Sequence, residues 1–165
     1  MPVTVRRART SDVKHIRALV APYAEERILI AKDPVAYFEG LQQFMVAEKG
    51  EQVVGCGALH VFWEDLAEVR TVAVDPKYVG TGIGSVLLQG LISRARDLGV
   101  ERVFCLTFET EFFGRHGFVE IEGTPVEHDV FEQLLRSYDE GVAEFLDLER
   151  VKPNTLGNHR MLLVL

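Results

Sequence analysis

The sequence predicts a single α/β domain over residues 1–165, because segments with strand-like and helix-like patterns alternate along a chain of ordinary domain length. The clearest signal lies between residues 69 and 98. Residues 69–74 are β-branched or small, as in a buried strand, and Asp75-Pro76 ends that strand. From Ile83 the apolar residues recur at helical spacing, and Gly99 stands where a glycine closes a helix. The rest of the fold is predicted around this unit of strand, turn, glycine-rich loop and helix.

Further strands and helices are predicted on both sides of this unit. Strands are expected at residues 3–8, 44–47, 53–62, 101–107 and 161–165. Thr10-Ser11-Asp12 predicts the start of a first helix, which Pro22 ends or bends, and a second helix is expected from residue 34 to about 41. One more amphipathic helix is expected between residues 125 and 138, for packing or a dimer contact, so a homodimer stays open.

Composition limits the classes of function. With 47% hydrophobic and 26% charged residues the chain is typical of globular proteins, and it has neither a membrane-spanning apolar run nor a secretory leader. The formal net charge of −7 argues against nucleic acid or an anionic membrane as the main partner. Cys56 and Cys105 lack the spacing of a metal site, so we expect reduced core thiols in a cytoplasmic protein and no metal; a redox role is the alternative.

Three glycines, Gly80, Gly82 and Gly84, alternate at the mouth of the predicted helix. A helix start has unpaired N–H groups and a partial positive charge, and glycine lets an anion approach the backbone closely, so the loop predicts a phosphate site. It is not a nucleoside-triphosphate loop, because Ser85-Val86 follows in place of lysine and a hydroxyl, and Leu87 replaces the last glycine of a dinucleotide fingerprint. A tight loop without a ligand is the alternative.

The stretch Val79-Gly80-Thr81-Gly82-Ile83-Gly84 resembles the acetyl-CoA motif of the GCN5-related N-acetyltransferases (GNATs), which runs (Arg/Gln)-x-x-Gly-x-(Gly/Ala) between a strand and a helix. Val79 departs from the usual Arg or Gln. The resemblance implies one N-acetyltransferase domain whose central, mostly antiparallel sheet is splayed where CoA enters. It also implies two sets of backbone contacts to acetyl-CoA. The pyrophosphate would be held by amides of Gly80, Thr81, Gly82, Ile83, Gly84 and Ser85, and the pantetheine arm would pair with Val72, Ala73 and Val74.

Glu68 is the candidate catalytic base. Acetyl transfer needs an amine lone pair, and a simple amine is mostly protonated near neutrality, so a group must accept its proton. Glu68 stands four residues before the segment that begins at Val72, and it matches the position where histone-type and amino-acid-type GNATs place their base. An exposed strand glutamate paired with Arg70 is the alternative. Arg70 itself is suited to a bidentate contact with a carboxylate.

The segment from Phe113 to Phe118 resembles the second GNAT motif, in which an aromatic residue on a short helix precedes a basic residue, glycine and phenylalanine. Many members have a tyrosine where Phe113 stands, which protonates the departing thiolate. That role is not available to phenylalanine, but a thiol of pKa about 8.5 leaves as thiolate without much help. Arg115 and His116 are candidates for contacts with the CoA phosphates, with surface solvation as the alternative.

The tail, residues 144–163, is similar to the end of short, single-domain glutamate N-acetyltransferases, which make N-acetylglutamate in the first step of arginine biosynthesis. The implied substrate is L-glutamate, although glutamine and aspartate stay open. Arg70 together with Lys152 or Arg160 would hold the two carboxylates of glutamate, and Asn158 would bind a carboxylate or the amine. The alternative is that these are ordinary loop cations.

Two other functions remain open at this point. One is acetylation of protein N-termini or of another amine, and the other is a non-catalytic module that senses acyl-CoA or an amino acid. In the family, the region after the first helix folds over the acceptor site, so Tyr23, Glu26 and Arg27 are candidates for substrate contacts; a solvated helix face is the alternative. His60 is interpreted as a hydrogen-bonded sheet histidine.

Overall fold

The computed structural model describes residues 2–30 and 32–165. Its strands are β1 (Val3–Arg7), β2 (Phe44–Lys49), β3 (Gln52–Trp63), β4 (Leu66–Val74), β5 (Arg102–Thr107), β6 (Val119–Glu120) and β7 (His159–Val164). Its α-helices are α1 (Val13–Glu25), α2 (Pro34–Glu39), α3 (Ile83–Leu98), α4 (Thr110–Arg115), α5 (His128–Leu134), α6 (Glu140–Phe145) and α7 (Lys152–Thr155). The strands form one sheet in the order β1-β2-β3-β4-β5-β7-β6.

The sheet is mostly antiparallel, as predicted. Pairings β1–β2, β2–β3, β5–β7 and β6–β7 are antiparallel, and β4 pairs with β5 in parallel. The parallel ladder runs only from Leu66 opposite Arg102 to Glu68 opposite Phe104, although β4 continues to Val74.

Clustering of contacts divides the chain into two compact units. The first comprises residues 1–60 and 69–98, and the second comprises residues 61–68 and 99–165. In the first unit, Val46 of β2 packs into a cluster with α1 and α2, while its neighbour Ala47 packs with Ile83 and Leu87 of α3. Successive strand residues point to opposite faces, so helices cover both faces of this part of the sheet.

Helix α3 lies very close to β3 in the first unit. A Cβ atom built on Gly55 would stand 2.8 Å from Leu87 Cδ1, and one built on Gly57 would stand 2.8 Å from Leu91 Cδ1. A Cβ at either position would force the leucine side chain to shift, which confirms the close backbone approach that glycines inside a strand indicate. The predicted end of α3 is also confirmed, because Gly99 follows Leu98 with φ +88°.

The core of the second unit is aromatic. The ring of Phe145, on α6, lies 4.9 Å from the rings of both Phe62 and Phe104, between centroids. Leu66 and Leu134 complete the same cluster, so the helix predicted between residues 125 and 138 contributes to packing, as expected.

Two local features go beyond what the sequence predicts, and the first shows that Pro22 does not end α1. Pro22 lies inside α1, which continues to Glu25 and is closed by Arg27 at φ +60°, with Ile28 N–H donating to Tyr23 O (2.9 Å). Helices α6 and α7 were not predicted from the sequence. Asp139 precedes α6, and its side chain accepts from Val142 N–H (2.9 Å), so it caps the first turn of the helix.

Candidate active site

The glycine loop of the first unit has the backbone that the sequence predicts. Gly80 and Gly82 have φ of +84° and +91°, and both are exposed with no atom within 4 Å of a built Cβ. Glycine is therefore required here by backbone conformation and not by lack of space. Val79, where the family usually has Arg or Gln, is 64% exposed and adds no charge to the loop.

The start of α3 presents its amides beside this loop. Within the helix the bonding begins with Val86 N–H, which donates to Gly82 O (3.1 Å). The amides of Ile83 and Gly84 come before that bond and have no acceptor within the helix, as at any helix start. A sixteen-residue helix adds the partial positive charge of its dipole at this end. The arrangement is suited to a phosphate group.

Strand β4 is irregular at Thr71, which has φ +58°. A β-branched residue in the left-handed region is an outlier that costs about 1–3 kcal/mol and is typical of a β-bulge in a strand. After it, Val72 lies beside Gly57 and Leu91, and Val74 packs with the α3 cluster. Ala73 packs in the opposite cluster, with α1. The expected alternation that begins at Glu68 is therefore interrupted at Thr71.

Two side chains bind the backbone of β4 in the first unit. The Tyr23 hydroxyl donates to Val74 O (2.6 Å). Burial raises the pKa of Tyr23, the bond to Val74 O lowers it, and the charges of nearby carboxylates raise it. Cys56 Sγ donates to Thr71 O (3.6 Å). Tyr23 is thus neither a solvated helix residue nor a side chain aimed only at substrate, because it supports the last residue of β4.

Glu68, in the second unit, is 4% exposed and lies opposite Phe104 in the parallel ladder. The interpretation as an exposed strand glutamate is therefore wrong. Burial raises the pKa of the neighbouring Cys105 thiol, and the charge of Glu68 raises it further. Cys105 and Cys56 are both buried free thiols, as predicted.

Arg160 lies on the same face of the second unit as Phe104. Its Nε donates to Gly123 O (3.0 Å), Nη1 donates to Glu144 O (3.3 Å) and Nη2 donates to Phe145 O (2.5 Å). The guanidinium carbon stands 5.1 Å from the Phe104 ring centroid and 5.8 Å from that of Phe145. Burial lowers the pKa of Arg160, whereas the charges of Asp147 and Glu68 raise it. A buried carboxylate and a fixed cation thus interact electrostatically.

The other predicted substrate contacts in the tail also have partners within the protein. Lys152 Nζ pairs with Asp147 Oδ1 (2.8 Å), and Asn158 Nδ2 donates to Asn154 O (3.1 Å). Arg70, in the first unit, is partly exposed on β4.

The second motif packs as a small aromatic cluster. Phe113 is 6% exposed and lies edge-on to Phe112 and Phe118, with centroids 5.1 and 5.2 Å away. A phenyl ring in this position is a core residue and supplies no proton. Arg115, in the last turn of α4, is exposed, as a contact to a large anion requires.

The contact between Cys56 and the left-handed Thr71 was not predicted from the sequence. A lone cysteine and a threonine in a strand carry no motif, and only a glycine at position 71 would have indicated a left-handed residue. The signal that was present is the pair Gly55 and Gly57, which indicates irregular pairing around Cys56.

Comparison with protein families gives one decisive match. The model described as the acetyltransferase (GNAT) family matches residues 13–118, from the start of α1 to the end of the second motif. The chain belongs to the acetyltransferase (GNAT) family. This confirms the resemblance carried by the glycine loop, and with it the predicted class of enzyme, an acyltransferase.

Relatives of this GNAT chain include amino-acid acetyltransferases. One from Mycobacterium tuberculosis is 62% identical over 164 residues, which is 98% of this chain and 94% of the relative. Another, from Neisseria meningitidis, is 35% identical over 118 residues, or 70% of this chain. The aligned part is only 27% of that longer relative.

Solved structures confirm the predicted fold class. A Mycobacterium tuberculosis protein in complex with CoA and NLQ has a TM-score of 0.95 at 62% identity, and the match covers 98% of this chain and 99% of that one. The N-acetylglutamate synthase of Neisseria gonorrhoeae, complexed with coenzyme A and N-acetyl-glutamate, has a TM-score of 0.79 at 26% identity. The latter match covers 100% of this chain and 35% of the synthase chain.

None of the helices within residues 2–30 and 32–165 is both long and apolar enough to cross a membrane. In the same ranges, no group of three or more His, Cys, Asp or Glu side chains is placed to hold a metal ion.

Proposed function

We propose that residues 1–165 act as one N-acetyltransferase domain that transfers acetyl from acetyl-CoA to the α-amino group of a small acidic amino acid, L-glutamate. The product, N-acetylglutamate, would enter arginine biosynthesis. The observation that carries the proposal is the 62% identity to an amino-acid acetyltransferase over almost the whole of both chains. The N-acetylglutamate synthase structure with bound coenzyme A and N-acetyl-glutamate supports the choice of donor and substrate.

Acetyl-CoA is proposed to bind by the backbone of the first unit. The amides from Gly80 to Ser85 are proposed to meet the pyrophosphate at the start of α3, although Thr81 N–H also donates to Tyr78 O (3.2 Å), and Arg115 contributes charge to a phosphate. The backbone of Val72, Ala73 and Val74 pairs with the pantetheine arm as an added strand. The left-handed Gly80 and Gly82 support this, since their backbone is exposed and has no side chain in front of it.

Glu68 is proposed as the base that takes the proton of the amine, directly or through a water molecule. The amine nitrogen then attacks the thioester carbonyl, and the N–H of Val72 or Val74 stabilises the negative charge on its oxygen. The C–S bond breaks as the tetrahedral intermediate collapses, and CoA leaves as a thiolate. The burial of Glu68 supports this role, because it places the carboxylate inside the fold and not on a solvated face of the strand.

Arg70 is proposed to hold one carboxylate of the amino acid in a bidentate contact. Lys152, Asn158 and Arg160 are proposed to contact the rest of the substrate. Of the five N–H hydrogens of a guanidinium, the three carbonyl contacts of Arg160 leave two for another acceptor.

One observation favours L-glutamine as a second candidate substrate. Lys152 is paired with Asp147, and Arg160 donates to three backbone carbonyls, so part of the positive charge expected for a second carboxylate is already engaged. The neutral amide side chain of glutamine needs less positive charge in the site than a second carboxylate does.

The acidic net charge also favours small molecules as partners over nucleic acid or membrane. The protein is proposed to be cytoplasmic and able to form a homodimer.

The test is release of free thiol from acetyl-CoA with each of the twenty amino acids. Glutamate is expected to give the highest kcat/KM, and Arg70→Lys should raise its KM about tenfold because a bidentate contact becomes a single one. A flat response across the amino acids would refute the substrate assignment. Thiol release only with a peptide N-terminus would support the alternative acetyltransferase, and heat of binding without any thiol release would indicate a sensor.

A further inference from the structure

Cys56 lies beside the bulge of β4, with its sulfur hydrogen-bonded to that strand at two points. The thiol donates to Thr71 O at 3.6 Å, and the backbone N–H of Ala73 donates to the sulfur. The two bonded groups lie on either side of Val72. The side chain is 0% exposed, within the cluster of α1 and α2.

These two bonds determine where the peptide groups of Val72 point. A trans peptide has its C=O and N–H on opposite sides. Since Thr71 C=O points to the sulfur, Val72 N–H, in the same peptide, points away from it. Since Ala73 N–H points to the sulfur, Val72 C=O also points away. Val72 therefore presents a donor and an acceptor side by side, facing away from Cys56.

Neighbouring carbonyls and amides have different partners. Val74 C=O accepts from the Tyr23 hydroxyl at 2.6 Å, and Asp75 N–H donates to Val54 O at 2.9 Å. Val72 therefore differs from these neighbours, because its N–H and its C=O both point away from the Cys56 sulfur. It also follows directly on the left-handed Thr71, whose conformation the surroundings must maintain.

We infer that Cys56 is a positioning residue, whose thiol holds the bulge at Thr71 and thereby aims Val72 N–H and C=O at the acetyl-pantetheine end of acetyl-CoA. This rests on the proposed function for the identity of the ligand. It also selects Val72 over Val74 as the donor to the carbonyl oxygen during acetyl transfer.

The chemistry of the thiol fits this role. Burial raises the pKa of Cys56 to about 12, with the bond from Ala73 N–H acting in the opposite direction. The group therefore stays a thiol at neutral pH and can donate to Thr71 O while it accepts from Ala73 N–H. Serine retains both capacities, and alanine retains neither.

The experiment compares Cys56→Ser, Cys56→Ala and Val46→Ala. Val46 is also 0% exposed and belongs to the same cluster, so Val46→Ala is a matched control for lost packing. Calorimetric titration with acetyl-CoA gives Kd, and steady-state thiol release gives kcat. Cys56→Ala is expected to weaken acetyl-CoA binding and lower kcat about tenfold each, the order expected for one lost orienting hydrogen bond. Cys56→Ser and Val46→Ala should stay within about threefold of the parent protein.

A second substitution tests the direction of cause. Thr71→Gly removes the strain of the left-handed residue, so it should restore Kd in the Cys56→Ala background to within about threefold of the parent value. Wild-type Kd and kcat in Cys56→Ala would overturn the inference, and so would equal losses in Cys56→Ala and Val46→Ala.

Hydrogen exchange separates this inference from the proposed function. Cys56→Ala should reduce protection of the Ala73 amide, whereas Val46→Ala should not, whether or not the protein binds acetyl-CoA. If the parent protein fails to bind acetyl-CoA, the proposed function fails while the exchange result still judges the role of Cys56. Unchanged protection of Ala73 in Cys56→Ala would overturn the role.

Discussion

Replacing Arg160 by methionine tests whether this residue acts first as a structural cation. Methionine keeps an apolar stem on the Phe104 and Phe145 rings but loses the three hydrogen bonds to Gly123 O, Glu144 O and Phe145 O. A hydrogen bond from a charged group contributes about 1.5–3 kcal/mol. Two of these carbonyls have second donors, since Glu144 O accepts from Asp147 N–H and Phe145 O from the Thr124 hydroxyl. We therefore expect a loss of about 3 kcal/mol in the free energy of unfolding, below the full sum.

Urea unfolding at neutral pH measures this loss, with Arg160→Lys as the control. Lysine keeps the positive charge near Glu68 but replaces a planar fork by a point donor, so it should lose less, about 1–2 kcal/mol. KM for glutamate, measured on folded protein, reports any direct contact with substrate. If the free energy of unfolding of Arg160→Met lies within about 0.5 kcal/mol of the parent value, which is about one-sixth of the predicted loss, the structural role of Arg160 is refuted. A tenfold rise in KM with unchanged stability would make Arg160 a substrate contact only.

Three further predictions concern stability and the loop. Hydrogen bonds from Arg6 lower the pKa of Asp12, so the ion pair stabilises the fold above about pH 4, and this stabilisation is lost as pH falls through the folded pKa. Asp12→Asn should therefore lower the free energy of unfolding by about 2 kcal/mol at pH 7. In urea titrations the variant should also lose less stability on acidification than the parent protein. Arg27→Gly should raise the unfolding free energy by about 1 kcal/mol in thermal scans by relieving φ +60°, and a destabilised variant would contradict this. Gly82→Ala should raise KM for acetyl-CoA about tenfold. Gly123→Ala is the control, because Gly123 also has a positive φ but lies outside the loop, and it should leave KM unchanged. Equal KM values for the two variants would refute the assignment of the loop to acetyl-CoA.

The sequence was most informative where a signal is local. The helix from Ile83 to Leu98 and its closing Gly99 follow from apolar spacing and one glycine, and both lie where predicted. Helix α6 was missed because six residues show less than two turns of periodicity, and because Asp147 closes it at φ +60° where a glycine is the usual signal.

The site could be predicted only in part, because partners distant in sequence determine the rest. The charged residues of the tail indicated Arg160 as a candidate site residue. They did not indicate that its guanidinium donates to carbonyls of α6 and of Gly123. The burial of Glu68 depends on its pairing with β5, more than thirty residues later in the sequence. Likewise, Thr71 O accepts from the thiol of Cys56 on the preceding strand, and the residues around Thr71 carry no signature of its conformation.

Glu68 is proposed to accept the proton of the amine during acetyl transfer. Its most direct test is the pH dependence of thiol release with saturating acetyl-CoA and glutamate, measured for the parent protein, Glu68→Gln and the exposed control Glu122→Gln. At neutral pH, Glu68→Gln should be slower by about 10²–10⁴-fold with an unchanged Kd for acetyl-CoA, and it should regain rate at alkaline pH where the amine loses its own proton. Rates for Glu68→Gln that match those of Glu122→Gln across the whole pH range would contradict the account.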